Sequence, residues 1–366
     1  MDKNKPLIGI THGDINGVGY EVILKSLIDN RVYEHFTPVI YGSSKVAAYF
    51  RKVLNLQAVN INIINSATEA APKRINIVNC ITEELKVEMG KSTRDAGKSA
   101  FMSLKSAVVD LKKGLIRMLV TAPINRHNIP SGTFMGHAAY FQKEFPYQEH
   151  PPLTMFVNNH TRIALVTGDI PLKEVAARLT KEMVIKKITL LNETLKNDFT
   201  IIRPRIAVLC LNPHILPDKT NEESAIIQPA IRYAVEQGIV CAGPYIANEL
   251  FAAEHFRDFD AILAMYYEQG AIAFKALSME NGAKFTAGLP FVHTSPVHGV
   301  AYELAGKRQI SEESFRNALY TSIDIYNNRK QNEQLHENVL IPDRKVPLNN
   351  DTDDDILDND DLTMTD

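Results

Sequence analysis

The stretch LIGITHGDINGVGYEVILKSLID at 7–29 has the pattern of a buried β-strand, a glycine-bearing turn and an amphipathic helix. The same order returns in TPVIYGSSKVAAYFRKVL at 37–54. Short apolar runs that alternate with helical patterns are typical of a mainly parallel sheet covered by helices. The opening of the chain therefore predicts an α/β fold.

Further apolar runs extend this alternation along the chain. They are INIVN at 75–79, IRMLVTAP at 116–123, LTMFVN at 153–158, IALVTGD at 163–169, IAVLCLNPH at 206–214 and AILAMYYEQG at 261–270. Helical patterns separate these runs, and a last one, ISEESFRNALYTSIDIYNNR at 310–329, closes the predicted fold. From 331 to 366 the residues are mostly polar or acidic and the apolar periodicity stops, so we expect a disordered acidic tail.

The composition limits the class of function. Of the 366 residues 45% are hydrophobic, enough to bury a substantial core, and the length favours two domains. Eight of the 43 acidic residues fall in the last eighteen positions, which contain no Lys or Arg. The rest of the chain therefore has 40 basic and 35 acidic residues, a formal charge of +5. A mildly basic body without a basic cluster suits a phosphorylated small molecule and does not favour nucleic acid.

The cysteines and the N-terminus indicate a location. Cys80, Cys210 and Cys241 are too few and too widely spaced for a disulfide framework, so we expect a reducing compartment, the cytoplasm by default. MDKNKP leads directly into a strand pattern without the apolar region of a signal peptide, and no run reaches the ~18 apolar residues of a membrane span. We therefore expect no membrane partner.

Three of the apolar runs lead to a polar residue, Asp169, His214 or Tyr267. In an open α/β sheet the C-terminal ends of strands face the ligand cleft, so these residues are candidates for chemistry. Asp and neutral His are ordinary ligands of Zn²⁺ and Mn²⁺, whereas a tyrosine with a pKa near ~10 must first lose its proton. Each also has a structural interpretation: Asp169 as a helix cap, His214 as a solvated loop residue, and Tyr267 as an aromatic packed at the sheet edge.

Several longer motifs point to a family. They are GDINGVGYE at 13–21, VTAPINR at 120–126, GH at 136–137, LNPH at 211–214, AMYYEQG at 264–270 and GLPFVHTSPVHGVAYELAGK at 288–307. With these motifs in this order, roughly residues 6–330 of the chain resemble the 4-hydroxythreonine-4-phosphate dehydrogenase (PdxA) family.

The resemblance implies two α/β domains that face each other across a cleft, in a fold similar to isopropylmalate and isocitrate dehydrogenases. We place the first domain at 1–130 with 300–330. The second, at 131–299, carries the metal, substrate and dimer contacts. The resemblance also implies a homodimer whose active sites draw on both subunits.

The resemblance further implies a reaction. The secondary alcohol of 4-phosphooxy-L-threonine gives a hydride to NAD⁺, and the resulting β-keto acid loses CO₂. In the family three histidines hold a divalent metal, Zn²⁺, Mn²⁺ or Mg²⁺, that stabilises the alkoxide and then the enolate. Those histidines fall on Asp169, His214 and Tyr267, so this chain keeps one of three. Two acids near the metal fall on Asn248 and Glu268, and we expect Glu268 to be catalytic.

The resemblance assigns the substrate contacts as well. His137 and Ala138 fall where the family holds the phosphate end, the alanine without the family's hydroxyl. Lys275 is the family lysine and is expected to bind substrate and take part in catalysis. Lys284 and His293 replace an asparagine and an arginine that grip the substrate, and the histidine gives up a permanent bidentate phosphate clamp.

HGVAYELAGK at 298–307 is open to two interpretations. It fits a turn that leads into a helix with its C-terminal cap at Gly306, and it fits a contact with the cofactor. Its similarity to the loop that meets the adenosine of NAD in isopropylmalate dehydrogenase relatives favours the second. His298, Gly299, Ala301 and Gly306 are then the cofactor-binding residues.

Two hypotheses of different classes follow. The first is a working NAD-dependent dehydrogenase in which Asp169 and His214 hold a weaker metal, or Lys275 and Lys284 supply the positive charge. The second is a catalytically impaired or substrate-shifted paralogue that serves as a binding or regulatory subunit. A second copy in the same genome with all three histidines intact would favour the paralogue.

Overall fold

Strands from the whole described chain join in one mixed sheet. The computed structural model describes residues 5–56, 59–129, 134–146, 151–214, 220–252, 254–278 and 281–337. Within these ranges the strands are β1 (Leu7–Thr11), β2 (Thr37–Gly42), β3 (Ile61–Ile64), β4 (Ile75–Asn79), β5 (Met118–Thr121), β6 (Leu153–Val157), β7 (Arg162–Leu165), β8 (Arg205–Leu209), β9 (Val240–Tyr245), β10 (Ala261–Ala264), β11 (Ala283–Ala287) and β12 (Val292–Pro296). Their order across the sheet is β3-β4-β2-β1-β5-β12-β11-β6-β7-β10-β8-β9.

Helices connect most of these strands. They are α1 (Gly19–Ser26), α2 (Ser44–Val53), α3 (Arg94–Lys112), α4 (His137–Glu144), α5 (Leu172–Arg178), α6 (Lys181–Asn197), α7 (Gln228–Glu236), α8 (Ala247–Ala252), α9 (Tyr267–Ser278) and α10 (Glu313–Glu337). Side-chain caps fix where several of them begin: the hydroxyls of Ser43, Thr93 and Thr180 accept hydrogen bonds from backbone N–H groups in the first turns of α2, α3 and α6. No helix in the described part is long and apolar enough to cross a lipid bilayer.

The predicted α/β class is confirmed. All six further runs contain strands, and β1, β2 and β5 are almost wholly buried, as expected of parallel strands covered on both faces. Most neighbouring strands are parallel, and antiparallel pairing is confined to the β12-β11-β6-β7 segment. This segment joins the two ends of the sheet.

Two features of the structure bear on the predicted boundaries. β12 was assigned to the second predicted domain, yet it pairs with β5 of the first, so the sheet is continuous across the predicted border. The division into 1–130 with 300–330 and 131–299 remains a prediction. Helix α10 continues to Glu337 and takes in the first residues assigned to the acidic tail. Its buried residues end at Ile325, and Arg329 and Asn332 attach its later turns to Asp198 and Asn197. Residues 338–366 lie outside the described ranges.

Candidate functional site

A cavity of about 810 Å³ opens beside the central strands of the sheet. Loops that follow the carboxyl ends of β5 and β7 line it, as does the first residue of α9 after β10. Its floor includes side chains from β6, β11 and β12. The cavity therefore lies where an α/β sheet places its ligands, as the strand-end pattern predicts.

His293 on β12 is held between two threonines. Its Nε2 lies 3.0 Å from the Thr121 hydroxyl, and its Nδ1 lies 2.9 Å from the hydroxyl of Thr286, its partner in the β11-β12 ladder. The ring is 2% exposed. Burial, then the neighbouring His137 and Lys284, lower the pKa of His293 well below its ordinary value, so the ring is neutral at pH 7.

His137 lies next to His293 at the start of α4. The two ring centroids are 5.3 Å apart, and Phe141 contacts both rings. His137 Nε2 is buried and has no hydrogen-bond partner among the described residues. Burial, with a smaller contribution from Lys284, lowers the pKa of His137 to about 3. The family's phosphate position thus holds a neutral ring with a free nitrogen in the cavity wall.

Lys284 on β11 supplies a cation to the same cavity. Its Nζ lies 5.9 Å from the ring centroid of Phe156 and 6.0 Å from that of Tyr267. Burial lowers the pKa of Lys284, whereas the carboxylate of Asp169 raises it and the charge of Lys275 lowers it further. Within the described residues Lys284 Nζ forms no hydrogen bond and no ion pair, so its charge is available to a ligand.

Asp169 and Tyr267, two of the predicted metal-site residues, both line the cavity. The Asp169 carboxylate accepts a hydrogen bond from Arg126 Nη1 at 2.9 Å. Tyr267 begins α9, and burial, then Asp169 and Glu268, raise the pKa of its hydroxyl. Tyr267 is therefore a neutral phenol at pH 7 and can donate a hydrogen bond.

The residues present do not fit a divalent metal. His214 is exposed and does not line the cavity, and no group of three or more His, Cys, Asp or Glu side chains in the described ranges is arranged to hold an ion. Asp169 is already paired with Arg126, while the raised pKa of Tyr267 opposes the proton loss that metal binding requires. The predicted degenerate metal site thus lacks a donor set within one chain.

The proposed cofactor loop is tied to two other motifs through one buried carboxylate. Asp14 Oδ2 accepts hydrogen bonds of 2.7 Å from the Tyr302 hydroxyl and 2.7 Å from Asn128 Nδ2. Asn125 Nδ2 donates to the Tyr302 hydroxyl at 3.1 Å, and Asn16 N donates to Asp14 Oδ1 at 2.9 Å. The motifs at 13–21, 120–126 and 298–307 therefore meet at the cavity edge.

The four proposed cofactor residues differ in how open their backbones are. Ala301 lines the cavity and has φ 48°, and Gly306 has φ 74° with Met89 Sδ where a Cβ would stand. A Cβ on Gly299 would meet nothing within 4 Å. His298 Nδ1 lies 2.9 Å from the Gly299 carbonyl oxygen. A ligand can therefore reach the peptide at Gly299 without a side chain in its way.

Some predicted site residues lie elsewhere on the chain. Lys275 and Glu268 are exposed on α9 and do not line the cavity, whereas Ala138 does. Glu268 instead lines a second groove together with Asn248. The roles of these residues remain predictions.

Arg126, Asn125 and Tyr302 were missed as site residues. All three stand inside motifs that carry the family resemblance, so the motifs themselves were the available signal. Their roles depend on partners far away in sequence, such as Asp169 and Asp14, and spacing does not reveal such pairs.

The sheet and the cavity define an α/β protein with a cavity at its strand ends, lined by Lys284 and two neutral histidines, beside a glycine-containing loop. Residues 34–322 match the model of the family described as pyridoxal phosphate biosynthetic protein PdxA. The chain belongs to the PdxA family.

Known proteins agree with this assignment. The chain is 48% identical to a 4-hydroxythreonine-4-phosphate dehydrogenase from Bacteroides thetaiotaomicron over 93% of this chain and 94% of that protein. A second relative of that name, from Sulfurihydrogenibium sp., is 34% identical over 88% of this chain and 99% of its own length. The crystal structure of a 4-hydroxythreonine-4-phosphate dehydrogenase from Burkholderia phymatum superposes with a TM-score of 0.70 at 31% identity, covering 88% of this chain and 99% of that one.

The buried histidines predict a loss of stability in mild acid. In the unfolded chain His137 takes up a proton near pH 6.5, whereas in the fold its pKa is about 3, so the unfolded state binds more protons between these values and stability falls as pH drops. His137→Gln should remove up to about 1.4 kcal/mol per pH unit of this fall below pH 6. Urea unfolding at pH 5 to 7 measures it, with the exposed His160→Gln as control. An unchanged slope in His137→Gln would show that the ring is solvated in the fold.

The hydrogen bonds to the buried Asp14 carboxylate predict a specific role for the Tyr302 hydroxyl. Tyr302→Phe removes a donor to the buried carboxylate and an acceptor for Asn125, so we expect a loss of about 1–3 kcal/mol in the free energy of unfolding and weaker NAD⁺ binding. Thermal unfolding and fluorescence titration with NADH measure the two effects. Tyr233→Phe, at a position that is 43% exposed, is the matched control. Equal behaviour of the two variants would contradict the role.

Proposed function

We propose that the protein is an NAD-dependent dehydrogenase that oxidises and decarboxylates 4-phosphooxy-L-threonine. The main observation is one cavity that contains two nitrogen groups without hydrogen-bond partners in the described residues, His137 Nε2 and Lys284 Nζ, and that extends to Ala301 in the glycine-containing loop 298–307. An anionic substrate and a dinucleotide need these two features side by side. The named relatives support the choice of substrate, and the alternative of an impaired subunit gains no support from them.

Different residues along the cavity are assigned to different parts of the substrate and the cofactor. We assign the phosphate to the start of α4, where His137 has a free ring nitrogen and the first backbone N–H groups of the helix also favour an anion; the His293 ring packs beside His137. Lys284 contacts the rest of the substrate. Gly299 and Ala301 would hold NAD⁺, which when bound accepts a hydride from the alcohol carbon. The aromatic rings of Phe141 and Phe156 pack behind these groups and exclude water.

One relative in the family is named for a different but closely similar substrate. A relative from Oceanobacillus iheyensis, 34% identical over 88% of this chain, is named for D-threonate 4-phosphate. Both substrates are four-carbon hydroxy acids with a terminal phosphate, so the cavity must distinguish an amine from a hydroxyl. We propose the amine-bearing acid because the relative with 48% identity carries that name.

We also propose that the protein acts as a homodimer in the cytoplasm. A largely apolar groove lies between α8 and α9, where Ile272 is 64% exposed and Leu277 is 45% exposed. Glu268 and Asn248 line the same groove. A partner on this face would cover the apolar side chains and bring these polar residues to the interface. The free thiols of the three cysteines support a reducing compartment.

Enzyme assays test the proposed substrate. With NAD⁺ and 4-phosphooxy-L-threonine we expect NADH formation, followed by its absorbance, and CO₂ release. The kcat/KM should be at least ~10²-fold above that for 4-hydroxy-L-threonine, because the phosphate positions the reacting carbon. D-threonate 4-phosphate should be the poorer phosphorylated substrate. A reversed preference would reassign the substrate, and no NADH from either acid would favour a non-catalytic subunit.

Sedimentation velocity tests the homodimer. At micromolar concentration we expect a dimer, and Ile272→Glu should shift it toward the monomer, because a charge would be buried in an apolar interface. Val109→Glu, at a position that is 47% exposed on α3, is the control and should leave the dimer intact. A monomeric wild-type protein would contradict the proposal.

A further inference from the structure

The cavity contains a fixed cation where the family reaction calls for positive charge. Lys284 Nζ lies beside Tyr267 and is close enough to Asp169 for that carboxylate to influence it. Asp169 and Tyr267 occupy two of the three positions that hold a metal in the family. The ammonium group therefore faces the same space that a metal ion would use.

The surroundings of Lys284 favour a monovalent cation over a divalent one. The rings of Phe156 and Tyr267 present their faces to Nζ and compensate in part for its lost hydration. The Asp169 carboxylate nearby is shared with Arg126 at 2.9 Å. A divalent metal ion at this place would be repelled by Lys284 and Arg126. Its available ligands would be the neutral phenol of Tyr267 and the Asp169 carboxylate, which is already paired.

Lys275 does not compete for this role within the chain. Its side chain is exposed on α9 and does not line the cavity, whereas Lys284 projects from a central strand of the sheet. Strand β11 is paired on both sides, with Phe156 and Ser295 opposite Lys284, so the backbone that carries the ammonium group is fixed. A charge held by a rigid strand can stabilise a transition state without reorganising.

We propose that Lys284 replaces the divalent metal and makes the reaction of this chain metal-independent, an inference that rests on the proposed function. The alcohol carbon gives a hydride to NAD⁺, the hydroxyl proton is released to water, and the C–O bond becomes a carbonyl. The bond to the carboxylate then breaks, CO₂ leaves, and the electron pair remains as an enolate that takes a proton from water. Lys284 donates an N–H hydrogen bond to the oxygen of the original alcohol at the stages where that oxygen carries negative charge. Tyr267 is placed to donate a second one.

The kinetic test compares Lys284→Met with Lys284→Arg in the full-length protein after EDTA treatment. We expect wild-type turnover to survive chelation, kcat of Lys284→Met to fall about 10²–10³-fold, and Lys284→Arg to keep more of the rate than Lys284→Met. If Lys284 only bound substrate, its substitution would raise KM and leave kcat unchanged. Lys105→Met, which removes an exposed lysine 4.8 Å from the Phe101 ring centroid, is the matched control and should keep full activity.

Two results would overturn the inference in the assay. One is turnover that EDTA abolishes and Zn²⁺, Mn²⁺ or Mg²⁺ restores. The other is a Lys284→Met enzyme with kcat close to that of Lys105→Met. Thermal unfolding separates a fold defect from a chemical one: removing an unpaired buried charge should raise the Tm of Lys284→Met by about 2–4 °C, whereas a structural lysine would lower it.

Metal titration tests the inference without turnover. We expect no sub-micromolar Zn²⁺ binding by the wild-type protein. Asp169→His with Tyr267→His should bind Zn²⁺ weakly, and adding Lys284→Asn should tighten binding at least about tenfold because the competing charge is gone. Tight Zn²⁺ binding by the wild-type protein, or equal affinities of the double and triple variants, would overturn the inference. If no variant reduces NAD⁺ under any condition, the proposed function fails, and these titrations alone decide whether Lys284 excludes the metal.

Discussion

The antiparallel ladder between β11 and β12 is the interaction on which the rest of the structure depends. It joins parallel strands on one side, through β5, to the strands that begin with β6 on the other. It also sets the chemistry of the cavity, because Lys284 and His293 are carried by these two strands. A slip of one residue in this register would place Lys284 and His293 on opposite faces of the sheet. The connection between the two ends of the sheet and the site's electrostatics are therefore one structural feature.

This arrangement costs stability. Two histidines and a lysine are brought together away from water, and burial lowers the pKa of all three. The fold offsets part of the cost with hydroxyl partners for His293 and aromatic faces around Lys284. His137 Nε2 is left without a partner in the described part of the chain. Such uncompensated groups are typical of sites whose missing partner is the ligand.

The sequence predicted the α/β class, the strands with long apolar runs and the family motifs, because these follow from local patterns. It did not reveal β11 and β12, whose residues AKFTA and VHTSP interrupt apolar character with the polar side chains that face the cavity. Asp169 and Tyr267 line the same cavity, since both follow strand ends on the same edge of the sheet. The pairing of Asp169 with Arg126 and of Tyr302 with Asp14 could not be predicted, because each depends on register between distant segments.

The two threonines around His293 have a consequence for proton movement. A hydroxyl both donates and accepts, so a neutral imidazole between Thr121 and Thr286 is satisfied in either tautomer. An imidazolium is satisfied as well, because both hydroxyls can rotate to accept. When one N–H bond forms and the other breaks, the two hydroxyls can thus adjust to the new tautomer by rotation, with no heavy atom displaced. An arginine at this position, having only donors, could hold a phosphate but could not relay a proton.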